Sequence, residues 1–155
     1  MFDIKYPKIM SFKDEYSFLS NFYKSDIVYD NVSYPTVEHF YQCNKMLNSK
    51  DFDILLNERN PGKVKRIARH KPMKNNWDDI KKSVMNIGVL NKFIQNIDIQ
   101  NKLIDTYPSF LIECNTWHDN YWGHCTCKKC ASQCHYNILG NILMEVRKGF
   151  IKTKN

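Results

Sequence analysis

Glycine and proline are scarce, with five of each in 155 residues, and this disfavours a turn-rich β architecture. No apolar run comes near the roughly 18 residues of a membrane-spanning helix, so no membrane partner is expected. The first ten residues, MFDIKYPKIM, lack the basic-then-apolar order of a signal peptide, and acidic Asp3 argues against a transit peptide. The expectation is an intracellular, cytoplasmic protein. Internal repeats, low-complexity tracts and long polar linkers are also missing, which leaves a single domain over 1–155 as the simplest organisation. A domain of this length buries roughly 68–70% of its unfolded surface, so it does not need disulfides. With 14% aromatic and 25% charged residues, disorder is excluded as well.

Arginine is rare: four Arg stand against 19 Lys, and the formal net charge is +7. Such a balance favours anionic partners, whether phosphates, nucleotides or nucleic acid. Lys, Asn and Ile together make up a third of the chain, the mark of A/T-rich codons. Charge alone therefore does not separate a nucleic-acid binder from a phosphate-handling enzyme.

The patterning that is present is mostly helical. Asp26 to Tyr34 alternates around Asp30-Asn31, which predicts a tight hairpin. Thr36 is the expected N-cap of a helix from Val37 to about Leu47. Short helices are predicted over Phe52–Arg59, stopped by Asn60-Pro61-Gly62, then over Lys63–Arg69 and Ile99–Thr106. The clearest helix starts with Asn76 as N-cap, and Asp78 and Asp79 in its first turn suit the helix dipole. Trp77, Ile80, Val84, Ile87, Leu90, Phe93, Ile94 and Ile97 recur along it as one apolar face. Phe110–Glu113 is a candidate strand. A last helix is predicted from Asn137 to Lys148, with Leu139, Ile142, Leu143 and Val146 inward and Gly149 as its stop. The expected class is mainly α, an α+β arrangement with a small β element.

Several clusters could carry chemistry. On a helix, Glu38, Gln42 and Lys45 share one face over about 10 Å, enough to line a ribose-phosphate; the alternative is a solvated Glu–Lys face. His39 and Tyr41 read as packing or surface residues. Trp117 to Gly123 holds two Trp, a Tyr, a His and an Asp. Such a loop either stacks on a base beside a desolvated carboxylate or plugs the core. The Cys-rich loop 124–135 contains Cys125, Cys127 and Cys130 as C-x-C-x2-C, with Cys134, His124 and His135 as further ligands. Cys125, Cys127, Cys130 and Cys134 could close a structural zinc site; the alternative is free thiols. Cys43 and Cys114 stand alone. From Lys63 to Lys74, the residues Lys65, Arg66, Arg69, His70 and Lys71 could clamp a phosphate or form a solvated helix.

These pieces occur in one order: Phe18-Leu-Ser-Asn-Phe22, Tyr34-Pro-Thr-Val-Glu-His-Phe-Tyr-Gln42 with Lys45, Lys65-Arg66-Ile-Ala-Arg69, Trp77, Lys92-Phe93, Glu113, Asp119-x-x-Trp122-Gly123, and Asn137-x-x-Gly140 with Met144 and Arg147. From about Phe12 to Arg147 the chain closely resembles the NADAR (YbiA-like) family. Two positions depart from the family pattern. The cysteine cluster replaces a loop that is often glycine-rich, and His118 stands where an Asn often precedes the Asp.

The resemblance implies a compact, largely helical domain that hydrolyses N-glycosidic bonds between ribose and an exocyclic amine. Its substrates would be phosphoribosylamino-pyrimidine intermediates of riboflavin synthesis or ADP-ribose on guanine in DNA. No cofactor would be required for catalysis. The site would gather Asn21, Glu38, Gln42, Lys45, Trp77, Asp119 and Trp122, with Gly123 and Asn137 from the matching blocks. Glu38 and Asp119 are the expected pair of acids for an oxocarbenium-like transition state, converging on one sugar-sized pocket. Lys45 is a second candidate, attacking C1 to form a Schiff base. Trp77 or Trp122 would stack on the base, and Lys65, Arg66 or Arg69 would hold phosphate. The rival expectation is a zinc-stabilised, basic nucleic-acid-binding module without catalysis.

Overall fold

The computed structural model of the protein describes residues 6–154; Asp3, on which part of the leader reading leans, lies outside them. In chain order the elements are β1 (Lys8–Ile9), a 3-10 turn (Asp14–Leu19), β2 (Ile27–Tyr29), β3 (Val32–Tyr34), α1 (Val37–Lys45), α2 (Ser49–Asn57), α3 (Pro61–Ala68), α4 (Trp77–Gln95), α5 (Ile97–Asp105), β4 (Phe110–Leu111), β5 (Cys114–Asn115), β6 (His124–Cys125), a second 3-10 turn (Lys128–Cys130) and α6 (Ile138–Lys154). Helix dominates and each strand is short, as the sequence indicates. No helix among the described residues is long and apolar enough to cross a membrane. The chain falls into two units, one of Asn21–Ile97 and one of Met1–Ser20 with Asp98–Asn155.

In the unit 21–97, β2 and β3 pair antiparallel with Ile27 opposite Tyr34. Asp30 and Asn31 take φ of 49° and 62°, the left-handed pair that a two-residue hairpin turn demands. The Gln95 side chain completes the edge of β2, accepting from the Val28 amide at 2.8 Å and donating to its carbonyl at 2.9 Å. Helix α1 packs on α2, α3 and α4. It starts where expected, because the Thr36 hydroxyl accepts the His39 amide proton.

The ends of α2 and α3 differ from expectation for one reason. Asn48 caps α2 through the Asp51 amide, and Asn60 caps α3 through the Gly62 and Lys63 amides. Asn60-Pro61-Gly62 therefore opens a helix instead of stopping one, with Pro61 in the first turn, where a missing N–H costs nothing. Asn76 precedes α4 but makes no side-chain cap bond.

The buried stripe of α4 is also not the one that periodicity suggests. It runs through Trp77, Met85, Gly88, Val89, Lys92 and Phe93, while Ile94 and Ile97 are exposed. Gly88 lies on this stripe. A Cβ there would stand 2.7 Å from the Phe40 ring, so its absence lets α1 and α4 approach closely.

In the other unit, β1 pairs parallel with β4, and β5 with β6. Helix α6 packs on β4, with Leu139, Ile142, Leu143 and Val146 buried as expected. A Cβ on Gly140 would run into the Leu111 carbonyl oxygen and the Asn137 side chain, so glycine is needed for this contact. Gly149 does not end the helix. Its φ is not positive and α6 continues through it to Lys154. Arg147, buried in the same unit, donates to the Thr106 hydroxyl at 2.8 Å and the Ser109 carbonyl at 2.9 Å.

Candidate active site

Glu38 lies in the first turn of α1, and its amide, which has no partner inside the helix, donates to the Asn21 carbonyl at 3.0 Å. Asn21 thus seats the helix start through its backbone, while its side-chain amide points to the Met85 sulfur at 3.3 Å. The neighbouring His39 is fully buried packing. Its Nε2 faces the Glu58 carbonyl at 2.7 Å and must donate to it, so its Nδ1 accepts from the Thr36 hydroxyl at 2.8 Å. These bonds fix the turn that carries Glu38.

The Glu38 carboxyl is 5% exposed and accepts a hydrogen bond from Gln42 Nε2 at 2.8 Å, the helical spacing that the sequence indicates. Burial raises its pKa; the Gln42 bond and the charges of Lys65, Lys45 and Arg69 oppose that rise. Burial in turn lowers the pKa of Lys45, against the pull of Glu38. Gln42 is 6% exposed, and its Oε1 is buried without a hydrogen-bond partner among the described residues. An orphaned acceptor in such a place calls for a donor from outside the chain.

Within this unit, then, Asn21, Glu38, Gln42, Lys45, Lys65 and Arg69 belong together. Arg66 does not join them. It is exposed on α3, about 100° around the helix from Lys65. Lys71 is paired with Asp51 at 2.8 Å. Trp77 is 3% exposed and meets Tyr41 edge to face at 4.9 Å between ring centroids. It packs beneath the helix and presents no open face to a base.

Asp119, Trp122, Gly123 and Asn137 lie in the other unit. Asp119 folds the tryptophan loop onto itself: its Oδ1 accepts from the Tyr121 amide at 3.1 Å and the Trp122 amide at 2.9 Å. Asn115 brackets the same residue, accepting from its amide at 3.2 Å and donating to its carbonyl at 2.7 Å. Trp122 is half-buried and packs edge-on against Tyr121 at 4.9 Å. A Cβ on Gly123 would collide with the Glu113 carbonyl oxygen, so this position is held by backbone packing. Asn137 clamps two backbone segments. Its Oδ1 accepts from the Glu113 amide at 3.0 Å, its Nδ2 donates to the Leu111 carbonyl at 2.9 Å, and φ is 47°.

Three of the four expected metal ligands come together. Cys125, Cys127 and Cys130 place their sulfurs in one group, but the fourth member is His118, all ligand atoms lying within 4.8 Å of one another. Cys134 is exposed, beyond the turn that follows Cys130, and is not in the group. His118 escapes sequence reading because it precedes the C-x-C-x2-C segment and belongs to the tryptophan loop. Its left-handed backbone, φ 67°, and the Asn115 bracket on Asp119 turn it toward the sulfurs.

The model of the NADAR domain family matches residues 9–151. N-glycosidase YbiA of Escherichia coli K12 is 34% identical over 140 residues, which cover 89% of this chain and 84% of that protein. A riboflavin biosynthesis protein of Vibrio vulnificus is 30% identical over 138 residues, 87% of this chain and 36% of the longer relative. The NMR structure of E. coli YbiA superimposes with a TM-score of 0.81 at 30% identity, covering 97% of this chain and 89% of that one.

Proposed function

The chain belongs to the NADAR family, and we propose from this and from the geometry around Glu38 that it is an N-glycosidase, a hydrolase of the bond between a ribose and an exocyclic amine. The observation that carries the reading is the buried, unpartnered Oε1 of Gln42 beside the buried Glu38 carboxyl. A ribose hydroxyl is the donor that such an acceptor would take. Lys65 and Arg69, whose charges act on Glu38, would hold the sugar's phosphate.

In this reaction the C1–N bond breaks as positive charge grows on the ribose. Glu38, with its pKa raised by burial, retains a proton nearer neutrality than an ordinary carboxyl and gives it to the leaving amine. By resemblance alone, the acid that would stabilise the oxocarbenium-like state is assigned to Asp119, in the tryptophan loop. Water then adds to C1 and returns a proton to Glu38.

We favour a small phosphoribosylamino-pyrimidine as substrate, because the V. vulnificus relative is named for riboflavin biosynthesis. The test is turnover of that compound beside an oligonucleotide carrying ADP-ribose on guanine. Release of ribose 5-phosphate is expected to be the faster reaction. Faster release of ADP-ribose would reverse the substrate assignment. Turnover of neither by folded protein would overturn the hydrolase reading and leave the binding-module rival.

One observation favours a covalent variant. Lys45, its pKa lowered by burial close to Glu38, holds a larger neutral fraction than an ordinary lysine. It could add to C1 of an opened ribosyl imine, expel the protonated exocyclic amine and leave a lysine–sugar imine that water hydrolyses. Borohydride added during turnover is expected to fix the sugar on Lys45, read by peptide mass. Full activity of Lys45→Arg with no adduct on the wild type would sink the covalent route and leave direct hydrolysis.

A further inference from the structure

We infer that His118, Cys125, Cys127 and Cys130 form a closed, structural zinc site that pins the tryptophan loop to the cysteine segment. This goes beyond the N-glycosidase reading and does not depend on it.

Geometry is the first ground. The Nδ1 of His118 lies 3.3 Å from the Cys127 sulfur and 3.3 Å from the Cys130 sulfur, and all four ligand atoms fall within 4.8 Å of one another. In a tetrahedron with Zn–S near 2.3 Å and Zn–N near 2.0–2.1 Å, the N···S edge is about 3.5 Å. The side chains therefore stand close to the arrangement that one ion imposes. They are too close together to surround a multi-iron cluster. Three thiols and one imidazole are the donor set that Zn²⁺ takes in structural sites. With four protein ligands the coordination sphere is complete, and no position is left for a catalytic water. On binding, the three thiols lose their protons to solvent and the imidazole coordinates as its neutral form.

The surroundings support the same conclusion. Cys125 and Cys130 are each 1% exposed, yet neither is in a disulfide, so their sulfurs face the group from inside the fold. Asn120 braces the loop, accepting from the Cys125 amide at 3.1 Å and donating to Gln133 at 2.7 Å. Asn115 pairs with Cys125 in β5–β6 and also brackets Asp119. Outer contacts of this kind orient metal ligands. Because His118 immediately precedes Asp119, an ion here would fix the turn whose carboxylate caps Tyr121 and Trp122.

The full chain, purified without chelator and reconstituted with zinc under reducing conditions, is the material for the test. Metal content is expected at about one zinc per chain, and cobalt in its place should give a thiolate charge-transfer band. His118→Ala, an exposed site whose loss need not disturb the core, is expected to weaken zinc affinity by tenfold or more. His118→Cys should restore it, and Cys134→Ser should leave it unchanged. Circular dichroism on each variant separates lost metal from lost fold. Absence of zinc from the folded wild type would overturn the site. Full zinc in His118→Ala with loss in Cys134→Ser would overturn this ligand set in favour of four cysteines.

Discussion

Glu38→Gln is expected to slow hydrolysis of a ribosylated amine by on the order of 10²–10⁴-fold, while the protein stays folded and melts at a higher temperature near neutral pH. The catalytic loss follows from the removed proton: an amide in the same place cannot protonate the leaving amine. Shape is nearly conserved, and the new side-chain carbonyl can still accept from Gln42 as Glu38 Oε1 does. The gain in stability has a different source. Burial raises the Glu38 pKa in the folded state, so the carboxyl favours folding below its unfolded pKa. That contribution disappears as pH rises through the folded value. At neutral pH the native wild type carries the cost of a desolvated carboxyl, which the uncharged amide of the variant would not. The difference in melting temperature should therefore narrow on acidification below the ordinary carboxylate range. Wild-type turnover in the variant would remove Glu38 from the mechanism. A pH-independent gap would show that its stability effect is not one of ionisation.

Lys92→Met is the second large effect, and it concerns stability. Lys92 lies on the buried stripe of α4, 1% exposed, with its ammonium nitrogen 5.5 Å from the Tyr23 ring centroid and 5.2 Å from that of Phe93. Desolvation lowers its pKa to about 7. The folded state therefore binds this proton less readily than the unfolded state, and stability rises with pH between about 7 and the ordinary lysine value near 10.4. Below about pH 7 the whole penalty of a buried ammonium is present. Methionine has similar length and no charge, so the variant should exceed the wild type in stability at pH 6 by up to about 5 kcal/mol. That margin should vanish as pH approaches 10. Chemical denaturation of both proteins across this range measures it. An equal difference at pH 6 and pH 10 would contradict a depressed lysine pKa and assign the position to packing alone.

The local features that the sequence discloses are those governed by neighbours in the chain. The Asp30-Asn31 hairpin, the Thr36 cap and the shared face of Glu38 and Gln42 depend on turn chemistry and helical spacing, and each is found in place. The family blocks, spread from Phe18 to Arg147, are likewise a property of the linear order. Where the reading failed, a distant partner intervened. Phe40 packs onto Gly88, and Lys92 lies on the same buried side of α4. Tyr41 covered Trp77, and backbone groups of Leu111 and Glu113 engaged Asn137. The ends of α2 and α3 differ for a nearer reason: Asn48 and Asn60 cap these helices, whereas the composition of Asn60-Pro61-Gly62 suggests a stop.

The sequence by itself determined the helical class, the family, and which carboxylate, amide and amine share the face of α1, because these rest on composition, order and a fixed rotation per residue. Tertiary structure alone decided that Glu38 is desolvated, that the Gln42 oxygen is left without a partner, and that His118 instead of Cys134 meets the three sulfurs. Burial and convergence are set by which side chains from remote segments fill the space around a group. No periodicity along the chain encodes that.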